Sequence, residues 1–114
     1  MTQIIKIAAP SNDRQSIAKF SGRAKEFAVV EIKNKQIINI TYRENHHEHN
    51  HDHSNGDHNH GHQDIVEALH DCVAIVGQKF GPHFAGDFHK AGIRLILSKE
   101  EIIEAAAIEA YRKL

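Results

Sequence analysis

Residues 72 to 97 constrain the fold of this chain more than any other stretch. Cys72-Val73-Ala74-Ile75-Val76 is an apolar run without alternation, as expected of a central strand covered on both faces. Gly77 and then Gly81-Pro82 interrupt it, and proline suits the first turn of a helix, where its missing N–H has no partner in any case. Phe84, Phe88 and Ala91 recur at helical spacing, Gly92 supplies a left-handed stop, and Ile93-Arg94-Leu95-Ile96-Leu97 reads as a second strand. Strand, helix and strand in that order make a right-handed βαβ crossover with parallel strands.

The remaining segments must pack around that unit. Residues 3 to 9 read as a strand ending at the turn cluster Pro10-Ser11-Asn12-Asp13. Residues 26 to 32 and 36 to 42 read as a hairpin around Lys33-Asn34-Lys35, with Phe27, Val29, Ile38, Ile40 and Tyr42 on core faces. Asp64 is placed to cap a short helix with Ile65, Ala68 and Leu69 as its buried stripe. Ser98-Lys99-Glu100-Glu101 has the form of a capping box before a last helix, whose inner face is Ile103, Ala107, Ala110, Tyr111 and Leu114.

The order βββαβαβα predicts an α/β domain over residues 1–114 with a five-stranded mixed sheet, order 3-2-1-4-5, and three helices. Strands 1 and 4 are then adjacent, and the chain leaves their carboxyl ends in opposite directions, which is where open sheets form crevices. Pro10 to Asp13 and Gly77 to His83 line that crevice.

Composition interrupts this scheme once. Asn45 to His62 holds eight of the eleven histidines and no apolar residue, so it is expected to be a flexible insert outside the core. His46, His47, His49, His51 and His53, then His58, His60 and His62, recur largely at alternate positions, so an extended segment could aim several imidazoles at one ion. Such ligands suit zinc, nickel or copper, and a storage or delivery protein for those ions is the alternative function within the metal class. A solvated loop that takes up metal opportunistically is the plainer alternative.

A formal charge of −1 over 114 residues gives no basic footprint for nucleic acid, and there is no apolar stretch long enough to span a membrane. The N-terminus has no signal-peptide pattern, so a cytoplasmic location is expected. One cysteine cannot form an internal disulfide or supply the four thiolates of an ordinary iron–sulfur site. Cys72 also opens the fourth strand, about 15 Å from Gly77, and reads as a buried structural residue.

Ile7-Ala8-Ala9-Pro10-Ser11-Asn12-Asp13, Phe20-Ser21-Gly22-Arg23-Ala24, Gly77-Gln78-Lys79-Phe80-Gly81-Pro82 and Ala91-Gly92-Ile93, in that order, resemble the dinitrogenase iron–molybdenum cofactor biosynthesis family. The resemblance covers nearly the whole chain outside the histidine tract. It implies a ribonuclease-H-like fold, no established catalytic activity and, in some members, carriage of iron–sulfur or molybdenum–sulfur clusters among cofactor-assembly proteins. One position departs: cofactor-handling members often have histidine directly before a Phe-Gly pair, whereas here Lys19 precedes Phe20 and Ser21 precedes Gly22.

The candidate cofactor-binding residues are therefore Ser11, Asn12, Asp13, Arg23, Gly77, Gly81, Pro82 and His83. His83 stands where backbone N–H groups and the positive end of a helix dipole favour an anion, and it is itself a ligand type. An exposed residue on an ordinary first turn is its plainer reading. Arg23 follows the Ser21-Gly22 bend as a positive group for an anionic ligand, or as a simple surface arginine. A nuclease-like enzyme would need paired carboxylates on the central strands, and strands 1 and 4 carry none. A module that binds a partner peptide in the crevice is the remaining alternative.

Overall fold

The structure is a computed structural model that describes residues 3–45 and 63–114. Its elements are β1 (Ile5–Ser11), a 3₁₀ turn (Ser21–Arg23), β2 (Glu26–Lys33), β3 (Gln36–Glu44), α1 (Gln63–Ala68), β4 (Ala74–Gly77), α2 (Pro82–Lys90), β5 (Arg94–Leu97) and α3 (Ile103–Arg112). The five strands form one mixed sheet in the expected order, β3-β2-β1-β4-β5. β2 is antiparallel to both β1 and β3, while β4 is parallel to β1 and β5.

Alternation along the strands sends the core to two sides. Ile7, Ala9, Val30 and Val76 meet Ile103, Ala106, Ala107 and Ala110 of α3 on one face. Three small alanines let that helix lie close to the sheet. Ala8, Phe27, Val29 and Ile75 meet Ile65 and Leu69 from the α1 region and Phe84 and Phe88 of α2 on the other. Phe84 stacks on Phe80 and Phe88 at 5.7 and 4.6 Å between ring centroids. Phe27 and Phe88 are wholly buried, so truncating either to alanine should cost about 3–5 kcal/mol.

Local sequence explains most of the boundaries. Asn34 and Lys35 both have positive φ, 55° and 66°, the conformation of a two-residue hairpin whose twist matches its strands. Gly81 precedes α2, Pro82 opens it, and Gly92 leaves it at φ 82° as expected.

Several expectations fail in detail. β1 runs on through Pro10 and Ser11. The Pro10 carbonyl accepts from the Ala18 N–H at 2.8 Å, on the side where β4 has already left after pairing only Ile7 and Ala8, so the absent proline N–H breaks no ladder bond. A bulge at Glu31/Ile32 shifts β3 so that Ile37 packs on the core and Ile38 is 49% exposed. α1 begins at Gln63, so Asp64 is inside it and not before it. Val73, Ala91 and Leu114 are exposed. Ser98 caps nothing on α3: its hydroxyl donates to the Glu109 carboxylate and accepts from the Glu100 N–H. Gln15 instead takes the Ile103 N–H on its carbonyl at 3.0 Å, tying the helix start to the loop after β1.

Asn45 also departs from expectation. Assigned to the histidine-rich insert, it is 2% exposed and hydrogen-bonded into the domain. His46, His47, His49, His51, His53, His58, His60 and His62 lie outside the described residues.

Candidate functional site at the carboxyl end of the sheet

β1 and β4 part after two residue pairs; Ile17 from the loop after β1 packs on the α3 face, while the loop after β4 leads into α2 on the other. The loop after β1 is built by its own side chains. Ser11, wholly buried, donates to the Ser16 carbonyl at 2.8 Å and accepts from the Arg14 N–H at 2.9 Å. Asn12 accepts from the Lys25 N–H at 2.9 Å. Asp13 accepts from the Ser16 and Gln15 N–H groups and from the Ser16 hydroxyl, which together hold its carboxyl at about 2. The oxygens of all three side chains are engaged in shaping the turn that receives α3.

The loop after β4 is met by the 3₁₀ turn. Ser21 donates to the Lys79 carbonyl at 3.1 Å, and the Lys79 ammonium lies 5.6 Å from the centre of the Phe20 ring. Gly77 lies beneath this junction: a Cβ there would come within 2.9 Å of Ser21 Oγ and 3.1 Å of the Phe80 ring. The space beside Gly77 is thus filled by the chain's own Ser21 and Phe80. Gly81 differs. It has φ −68° and open space around it, so nothing in its conformation requires glycine.

Arg23 and His83 are exposed, and neither makes a side-chain hydrogen bond or ion pair with another described residue. His83 is the second residue of α2, whose first turn has no side-chain cap. Segments 18–25 and 77–84 together carry Lys19, Arg23, Lys25, Lys79 and His83 and not one carboxylate. Glu26, just beyond, is held by Arg14 through two bonds of 2.6 and 3.1 Å, and that guanidinium also stacks 4.5 Å over Tyr42. The Ser21–Lys79 hydrogen bond makes the two segments adjoin, so their basic side chains stand on neighbouring loops, with Lys25 also acting on Glu26. Lys19, Lys25 and Lys79 were not among the sequence candidates, and a charge count confined to these two segments would have found them.

Among the described residues, no three His, Cys, Asp or Glu side chains gather to hold a metal ion. Cys72 is buried as expected, and that burial pushes its thiol up to about 12, which keeps it protonated. Its neighbour Asp71 is held well below the ordinary carboxylate range, chiefly by hydrogen bonds from Arg43 at 2.6 and 2.9 Å. Lys6 adds a third bond at 3.1 Å. A groove of about 280 Å³ between Val66, Glu67, Asp87, Lys90 and Ala91 lies at the C-terminal end of α2, away from this surface. No described helix is long and apolar enough to cross a membrane.

The fold has clear counterparts. The apo orange protein of Desulfovibrio gigas superposes with a TM-score of 0.71 at 17% identity, over 99% of this chain and 91% of that one. A dinitrogenase-like protein of Methanocaldococcus jannaschii gives 0.67 at 17% identity, over 97% and 90%. A NifB-like protein of Thermotoga gives 0.61 at 17%, over 96% and 88%. At such identities the likeness establishes the fold alone. A search of curated protein sequences gives no significant match. The family model described as dinitrogenase iron-molybdenum cofactor matches residues 3–113, the segments quoted above among them, and the chain therefore belongs to that family.

Proposed function

We propose that the protein is a non-catalytic carrier whose cargo is an anionic metal–sulfur cluster, iron–sulfur or molybdenum-containing, seated at the carboxyl end of the sheet. The charge of segments 18–25 and 77–84 carries this reading: five basic side chains and no acid, joined by the Ser21–Lys79 hydrogen bond. With a single protonated cysteine, the chain offers no thiolate set, so the cluster is held as an anion by cations and by the N–H groups at the start of α2. His83 is the one ligand-type side chain on the two segments. Arg23, Gly81 and Pro82 complete the rim, Gly77 makes room for Ser21 and Phe80, and Ser11, Asn12 and Asp13 set the loop beside it. Membership of the dinitrogenase iron-molybdenum cofactor family supports cofactor handling, with assembly proteins as donors and acceptors.

The histidine tract supports a second, separate capacity. His46, His47, His49, His51, His53, His58, His60 and His62 have the chemistry to take up zinc, nickel or copper. Enzymatic phosphoryl transfer has no such support, since β1 and β4 carry no carboxylate.

Untagged full-length protein isolated without oxygen tests the carrier reading. Metal and acid-labile sulfide in fixed ratio, with visible absorption bands, are expected. Protein that is colourless and takes up neither an iron–sulfur cluster nor tetrathiomolybdate overturns it.

A further inference from the structure

The 3₁₀ turn that carries Arg23 has little to hold it in place by itself. It spans three residues, and its internal bonds, Arg23 N–H to the Phe20 carbonyl and Ala24 N–H to the Ser21 carbonyl, are 3.1 and 3.5 Å long. Turns this short depend on what they pack against. Ser21 is tied to Lys79 on one side. On the other side stands Asn45, the last described residue before the histidine tract. Its own N–H donates to the Lys25 carbonyl at 3.0 Å, extending the β2–β3 ladder by one residue. Its buried side-chain amide donates to the Ala24 carbonyl at 2.8 Å and to the Gly22 carbonyl at 3.3 Å. Those carbonyls belong to the residues on either side of Arg23. One NH₂ group therefore brackets the arginine, fixing the Gly22–Arg23 peptide plane that enters it and the Ala24–Lys25 plane one residue beyond it.

We infer that Asn45 is a positioning residue for Arg23, and through it for the anionic cargo. The inference rests on the proposed carrier function. The chemistry is particular to this side chain. Two carbonyl oxygens need two N–H donors at short reach, which asparagine supplies. Aspartate would present acceptors to acceptors, and leucine, of similar volume, would present nothing.

A two-residue cycle in the full-length chain tests the inference: Asn45→Ala alone, Arg23→Gln alone and both together, each titrated with tetrathiomolybdate by absorption, with Asn45→Ser as a second variant should Asn45→Ala not fold. Asn45→Ala is expected to weaken binding about tenfold in the parent and less than twofold in the Arg23→Gln background, because the two act as one unit. An equal loss in both backgrounds, or none in the parent, overturns the assignment. Backbone order parameters of residues 22 to 24 read it without ligand. They should fall from about 0.85 to below about 0.6 in the variant, and values that stay high overturn the positioning role. If the parent protein does not bind the probe, the carrier reading fails, and the order parameters still decide the role of Asn45.

Discussion

Gly77→Ala tests the junction on which the site is built. The added methyl would sit 2.9 Å from Ser21 Oγ and 3.1 Å from the Phe80 ring, inside normal contact distance for both. Ser21 is 2% exposed and hydrogen-bonded to Lys79, so it cannot swing away without losing that bond, worth about 1 kcal/mol. Overpacking against Phe80, itself stacked on Phe84, adds about 1–2 kcal/mol. The expected total is about 2–3 kcal/mol, or about 8–12 °C in Tm for a chain of this length. Urea unfolding should show it as a lower midpoint at unchanged slope. Gly81→Ala is the internal control: with open space and φ −68°, it should be neutral or stabilise by about 0.5 kcal/mol. In a Ser21→Ala background, Gly77→Ala should cost about 1 kcal/mol less, because the shorter contact has gone. If Gly77→Ala and Gly81→Ala have equal effects, or the Ser21 background changes nothing, the described junction is wrong.

Three further outcomes are expected. Asp13, whose carboxyl sits at about 2 against an ordinary 3.8, contributes stability that is present above pH 3.8 and lost as pH falls through 2. Asp13→Ala should flatten the acid limb of the stability curve across that window, and an unchanged limb would show that the Ser16 and Gln15 N–H groups do not favour the ionised form. Cys72 should resist thiol reagents at pH 8 in the native state and react on unfolding, whereas fast native labelling would contradict its burial. Deleting residues 46–62 should remove most zinc and nickel binding, and in the parent that affinity should fall steeply from about pH 7.5 to 5.5 as imidazoles take up protons; a pH-independent calorimetric titration would instead indicate oxygen ligands.

How much of this was legible depends on how local each signal is. The βαβ unit could be read because an uninterrupted apolar strand, Gly81-Pro82 and Gly92 each act on their own neighbours. The sheet order followed from the element order. Ile38 misled because a single bulge residue inverts the faces of the strand beyond it, and no residue type announces the bulge. Ser98 had the spacing of a cap, but its hydroxyl is taken by Glu109 on the next helix, a contact that depends on tertiary approach. Asn45 was grouped with the histidines by composition, whereas its amide serves a turn more than twenty residues earlier. At the site, glycines and loop positions were visible, but the junction of residues 18–25 with 77–84 was not, because Ser21 and Lys79 are distant in sequence.

Amide chemical-shift mapping of the full-length chain during titration with tetrathiomolybdate locates the cargo on the fold. The carrier reading predicts saturable shifts concentrated in residues 19–25 and 77–84, unchanged when residues 46–62 are deleted. Shifts confined to the groove at Val66, Asp87 and Lys90, or lost with that deletion, would contradict it.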